Sequence, residues 1–184
     1  MPAGSLDEAL ATRYTQHMMQ RNTNDGAISE AQRLGFAALA ARGLEIPMDE
    51  SGRRRWQDNF NSIPAMHYMG CRLDMSHENV VVVRLPEVRP HHQGGMGTEA
   101  VNGAVIAGLC DCALGVAGVV HFPDQRAGTV ELAIKFMRPT VGQSVTAYAV
   151  ALKRAASVAF AEVELYSAGR LCSIATGMVS TASS

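Results

Sequence analysis

One stretch limits what this chain can become: Asn102–Val119, N-G-A-V-I-A-G-L-C-D-C-A-L-G-V-A-G-V. It is the longest apolar run in the sequence and carries a single charge, Asp111, near its middle. A carboxylate placed in apolar surroundings is costly unless it has a partner or a task. The run just reaches membrane-spanning length, but it holds that charge and four glycines and has no charged anchor before it, so it reads as a buried helix of a globular fold. On a helical wheel, Val105, Leu109, Cys112 and Val116 share one side, with Ile106 and Ala113 beside them. Ala104, Ala107, Gly108, Asp111, Gly115 and Gly118 gather on another. A stripe of small residues admits close approach by a second helix, a strand or a ligand. Packing alone, with Asp111 as a tether to backbone, is the competing reading.

The start of this helix adds a second element. First-turn N–H groups have no partner inside the helix and carry partial positive charge, which suits an oxyanion. Asp111 lies more than two turns further on, roughly 10 Å away at about 1.5 Å per residue. One chain therefore does not easily bring both groups to one reacting atom. Two antiparallel copies do, which predicts a site shared by two protomers.

The elements around the helix follow from pattern. Residues 1–45 read as helical decoration. A first helix runs through Leu6, Leu10 and Tyr14, and a second is capped by Ser29, carries Leu34, Phe36, Ala37 and Leu39, and ends at Gly43. A third short helix opens at Ser51, passes Trp56 and Phe60 and stops at Pro64. Strands follow at His67–Met75 and Glu78–Leu85, the latter with four consecutive valines that suit cover on both faces. After the helix, Thr129–Met137 alternates, with Val130, Leu132, Ile134 and Phe136 on one face and Thr129, Glu131, Ala133 and Lys135 on the other. Ser144–Leu152, Val158–Tyr166 and Leu171–Ser180 complete an antiparallel set joined by short turns. The expected class is α+β, with a curved antiparallel sheet of about six strands around one long helix. Residues 1–61 form an N-terminal helical extension and 62–184 the main domain.

Composition narrows the function classes. With 16 basic and 17 acidic residues there is no basic stripe for nucleic acid. Arg53-Arg54-Arg55 reads as a solvated helix start. Cys71, Cys110, Cys112 and Cys172 show no metal or disulfide spacing and read as reduced thiols of a cytoplasmic protein, and the first residues, without a basic head and apolar core, suggest no signal peptide. His91 and His92 read as loop packing or a phosphate contact rather than a metal pair, Glu131 as an ion-pair partner rather than a second acid, and Met18, Met19, Met66, Met69 and Met75 as core filler rather than the lining of an acyl tunnel.

From about Ser62 to Ser180 the chain resembles the hotdog-fold acyl-CoA thioesterases of the phenylacetate-pathway (PaaI-like) branch. That branch carries H-G-G-x-x-x-x-x-x-D followed by small residues, then a strand ending F-x-R-P. The matching stretches here are N-G-A-V-I-A-G-L-C-D and F-M-R-P, and the spacing from Gly103 to Asp111 agrees. The resemblance implies hydrolysis of a small or medium acyl-CoA thioester at a dimer interface. Asp111 would be base or nucleophile, the Gly103 N–H would meet the oxyanion, and Thr129 would orient water. Asn102 stands where the family has histidine, and its amide donates but does not titrate. Ala104 replaces the second glycine. Ala155-Ala156 replaces the Gly-Arg or Gly-Lys turn, so Arg138, Lys153 and Arg154 are the candidates for the coenzyme A phosphates. The resemblance implies no cofactor or metal beyond the coenzyme A of the substrate, and a homodimer or dimer of dimers. A non-catalytic acyl-CoA-binding or interaction module is the alternative. A hydratase or dehydratase is weaker, because no histidine follows the aspartate before His121.

Overall fold

The computed structural model describes residues 28–94 and 99–182. The helix expected through Leu6, Leu10 and Tyr14 lies outside them, as do residues 95–98 before Asn102. The described elements run α1 (Glu30–Ala40), α2 (Glu50–Asn61), α3 (Pro64–Met69), β1 (Arg72–Asp74), β2 (Val81–Leu85), a 3₁₀ turn (Pro90–His92), α4 (Gly103–Val119), β3 (Ala127–Phe136), β4 (Val145–Arg154), β5 (Val158–Ser167) and β6 (Arg170–Thr181). The six strands form one antiparallel sheet in the order β1-β2-β4-β5-β6-β3. This is the hotdog arrangement, with the sheet packed along α4.

Two cores lie on opposite faces of that sheet. On the α4 side, Ile106, Leu109, Cys110, Ala113, Leu114, Val116 and Ala117 meet Val81, Val83, Leu85, Ala147, Ala149, Val163 and Ala175. The inward alanines of β4 and β5 leave room for the helix. On the other side, Val80, Val82, Tyr148, Val150 and Tyr166 are covered by Leu39, with Phe36 packed beside them. The valine run is thus buried on both faces, and α1 is the element that covers the second. Ser29 caps α1, taking the N–H of Gln32 at 3.1 Å while donating to the Gly169 carbonyl at 2.6 Å. Gln32 donates to the Tyr148 hydroxyl at 2.8 Å. Leu39→Ala is expected to cost about 2–5 kcal/mol, read by chemical unfolding, because it empties a fully buried site between helix and sheet.

Several boundaries differ from the sequence reading. Leu34 points to solvent, and Gly43 lies beyond the end of α1, packed against Val150. The cap of α2 is Asp49, whose carboxylate takes the Gly52 N–H at 2.7 Å, and Ser51 lies inside the helix. Pro64 does not simply stop a helix: it opens α3, where proline at the first position gives up an N–H that had no partner anyway. His67 is therefore helical, and the strand expected at His67–Met75 shrinks to Arg72–Asp74. Gly70 ends α3 with φ 69°, which favours glycine. Asn61 then acts as an extra rung beside β1, accepting from the Leu73 N–H at 2.8 Å and donating to the Leu73 carbonyl at 2.9 Å. Hence α2 shields that end of the sheet.

The largest correction concerns β3. A bulge between Thr129 and Glu131 breaks the expected alternation. Val130 is expelled to 62 % exposure, while Leu132 and Ile134 pack on the α4-side core. Thr129, placed by alternation on the face opposite Leu132, instead turns toward α4, where its Oγ1 lies 3.2 Å from the point a Gly115 Cβ would occupy. Gly118 also leaves its expected stripe: a Cβ there would lie 2.5 Å from Val179, so it is a packing glycine facing β6.

Candidate active site

Asn102 caps α4 with extended backbone, φ −60° and ψ 138°. Its Oδ1 accepts from the Ala104 N–H at 2.8 Å, and its carbonyl accepts from Val105 at 3.0 Å and Ile106 at 3.1 Å. Among the described residues the Gly103 N–H is left with no acceptor and faces solvent. The Ala104 N–H is spent on the cap.

The cap is itself anchored. The Asn102 N–H donates to the His92 carbonyl at 2.8 Å, and the Val101 N–H to the Thr140 carbonyl at 2.8 Å. His92 is 3 % exposed, and its Nδ1 accepts from the Arg89 N–H at 3.0 Å. Burial, then the neighbouring His91, depresses its pKa, so the ring is held neutral. The sequence reading placed His92 in loop packing; its part in setting the helix start emerges only from the fold. Thr140, buried beside it, was not singled out at all, and nothing local to its sequence marks it.

A hollow of about 390 Å³ opens at this end of the helix, lined by Gly103, Ile106, Phe136, Met137, Arg138 and Thr140 among others. It brings Arg138 and Gly103 together. Lys153 and Arg154 are not brought there. Arg154 stacks over Phe122 at 5.2 Å, just past the other end of α4. The helix has 17 residues, about 25 Å at its normal rise.

Asp111 is exposed on the same open face as Ala104, with half-buried Gly108 and Gly115 between and beyond them. Gly115 is one turn past Asp111, so the Thr129 hydroxyl over Gly115 belongs to the Asp111 end. The site residues divide into two groups within one chain: Asn102, Gly103, Ala104 and Arg138 at the helix start, and Asp111 with Thr129 further along. The cysteines flanking Asp111 point elsewhere. Burial, and after it the Asp111 charge, pushes Cys110 up to about 12. No group of three His, Cys, Asp or Glu among the described residues is placed to hold a metal ion. None of the described helices is long and apolar enough to cross a membrane.

Residues 99–173 match the model of the thioesterase superfamily. A protein from Shewanella oneidensis related to that superfamily is similar in structure, with a TM-score of 0.65, 18 % identity, and coverage of 74 % of this chain and 99 % of that one. A thioesterase from Haemophilus influenzae gives 0.64 at 14 % identity, covering 76 % and 94 %. The E. coli PaaI protein from the phenylacetic acid degradation operon gives 0.61 at 16 % identity, covering 73 % and 97 %. No curated protein matches the sequence. By its sheet wrapped on α4 and these likenesses the chain has the hotdog fold, and it is over residues 99–173 that it matches the thioesterase superfamily.

Proposed function

We propose that this chain hydrolyses the thioester of a small or medium acyl-CoA, aromatic acyl groups included, at two equivalent sites built by two protomers. The observation that carries the reading is the spacing on the open face of α4: a free Gly103 N–H at its start, and Asp111 two turns away with the Thr129 hydroxyl nearby. β3 supports it. It is an edge strand whose Phe136 lies over Gly103 and whose Thr129 lies over Gly115, so it runs antiparallel to α4. Val130 on its outer side is exposed, and an uncovered edge strand invites pairing. A two-fold axis through the middle of β3 sets the Asp111–Thr129 end of one protomer against the Gly103–Arg138 end of the other. The convex face is taken by α1, so a dimer of dimers has to use other surfaces.

In this arrangement the thioester carbonyl lies against the Gly103 N–H, with the Asn102 Nδ2 available as a second donor and Ala104 lining the approach. Asp111 of the partner subunit takes a proton from water, oriented by Thr129, as that water attacks the carbonyl carbon; where the carboxylate attacks instead, the water then hydrolyses the mixed anhydride and frees Asp111. The carbonyl oxygen becomes an oxyanion held at the helix start. The C–S bond then breaks, and coenzyme A leaves as a thiolate and is protonated. Arg138, with Lys153 and Arg154 of the partner subunit, contacts the phosphates. The reaction needs no cofactor besides the coenzyme A of the substrate. Its four free cysteines suit the reducing cytoplasm. We assign residues 62–184 to the catalytic domain and 1–61 to an N-terminal extension.

Free-thiol release across acyl chains of different length and aromaticity tests the reading. Binding of acyl-CoA without thiol release selects the alternative, a non-catalytic acyl-CoA-binding module, which Asn102 in place of a histidine and Ala155-Ala156 in place of the basic turn motivate. A sharper test is Gly103→Pro. Proline is compatible with the first helical position and with the extended Asn102 before it, so the change deletes one N–H and little else. We expect kcat to fall about 10²–10³-fold with folding retained. Mixing this variant with Asp111→Ala, after dissociation and reassociation, is expected to restore about a quarter of wild-type activity: half of the dimers are mixed, and each mixed dimer has one intact site. No recovery would place both groups in one chain and sink the shared site.

A further inference from the structure

Three sulfur atoms converge just under the face of α4 that carries Asp111, and the proposed hydrolysis uses none of them. Met66 comes from α3, Cys71 directly follows that helix, and Cys112 sits in α4. Met66 Sδ is 3.5 Å from Cys71 Sγ and 3.9 Å from Cys112 Sγ. Both thiols thus flank the one thioether. Cys71 is fully buried, and Met66 and Cys112 are half-buried.

An ion centred among three sulfurs at a metal–sulfur distance of about 2.3 Å holds them about 4.0 Å apart. The Met66–Cys112 separation of 3.9 Å matches that spacing, and the Met66–Cys71 separation of 3.5 Å is a little shorter. Its donor set selects the ion. A thioether is a soft, uncharged ligand, poor for zinc, which favours four thiolate, imidazole or carboxylate ligands. Thiolate and thioether together suit copper(I). The presence of Met66 also separates this site from a simple dithiol pair, to which a thioether adds nothing.

We propose that Met66, Cys71 and Cys112 form a three-sulfur site for a soft monovalent metal ion of the copper(I) class. Binding exchanges the two thiol protons for the ion, with no change of oxidation state, and ties α3 to α4 one residue from Asp111.

The test is anaerobic titration of the reduced full-length protein with copper(I) against a chromogenic copper(I) chelator. Expected are one ion per chain, near-ultraviolet sulfur-to-copper absorption, three sulfurs at about 2.3 Å by X-ray absorption, and a raised melting temperature. Cys112→Ala should weaken binding at least about 100-fold. Met66→Leu, close to it in volume, should weaken binding about 10-fold and leave two sulfurs on the metal. Binding no tighter than that of a Cys71→Ala/Cys112→Ala protein overturns the site, as does an unchanged affinity in Met66→Leu. Isolation of a Cys71–Cys112 disulfide in place of the bound ion overturns it too. Asp111→Ala should bind copper(I) like the wild type, so the site stands or falls apart from the hydrolase reading.

Discussion

Asp111→Ala is expected to lower kcat/KM for acyl-CoA hydrolysis by about 10²–10⁴-fold, the usual worth of a positioned acid–base group. The fold should not notice the change. Asp111 is exposed, and it forms no hydrogen bond or ion pair among the described residues. Alanine is also the better helix former. Stability therefore stays level while activity collapses, a combination that a structural tether would not produce. Asp111→Asn should behave alike, since an amide of the same shape neither attacks a carbonyl nor accepts a proton from water at neutral pH. Measurement is by thiol release over a panel of acyl-CoAs, with thermal unfolding of the same samples. Full hydrolysis in a folded Asp111→Ala protein would remove Asp111 from the mechanism.

The second large effect concerns the fold. Gly177 in β6 lies opposite Leu132, beside the β3 bulge. A Cβ at Gly177 would press into the Glu131 carbonyl oxygen and lie 3.1 Å from Leu114 Cδ1. The first obstacle is backbone, which does not rotate away as a side chain does. Gly177→Ala is therefore expected to cost about 3 kcal/mol or more, at or beyond the upper end of ordinary overpacking, and to loosen β3 from β6. The edge strand that carries Thr129 would lose its position, so hydrolysis should fall with stability. Gly128→Ala in the same strand pair is the control, with no atom within 4 Å of the added carbon. Urea unfolding of both proteins decides it: equal midpoints would mean that the bulge at Glu131 relaxes freely.

The proposed shared site links these two expectations. Phe136 and Thr129 sit at opposite ends of β3, one over each group of site residues. In the proposed dimer, a displaced β3 would disturb the oxyanion half of one site and the aspartate half of the other together.

Much of this architecture is legible in the chain itself. An apolar run with one charge became α4, because its length and composition suit a helix covered by a sheet. Four valines in succession became a strand buried on both faces, because only that environment uses every one of them. Regular alternation with short turns specified the antiparallel run of β4, β5 and β6. The Gly103–Asp111 spacing and the F-M-R-P turn gave the resemblance to hotdog thioesterases. These are local signals, written in period and composition, and the tertiary structure kept them.

Other features were decided by pairing between distant segments. Thr129 turned to the helix because β3 bulges between Thr129 and Glu131, where Gly177 of β6 leaves room for the Glu131 carbonyl, and nothing in the alternation of β3 announces that. Gly115 and Gly118 look alike on a wheel, yet one leaves room for a hydroxyl and the other makes room for Val179. Arg138, Lys153 and Arg154 are equivalent by charge, but only Arg138 lies at the helix start, because β3 ends there and β4 ends near Phe122. Period and composition fix which residues want burial and in what element. Which neighbour each one meets depends on register and packing between strands and helices far apart in the chain, and that is settled only when the whole sheet closes on α4.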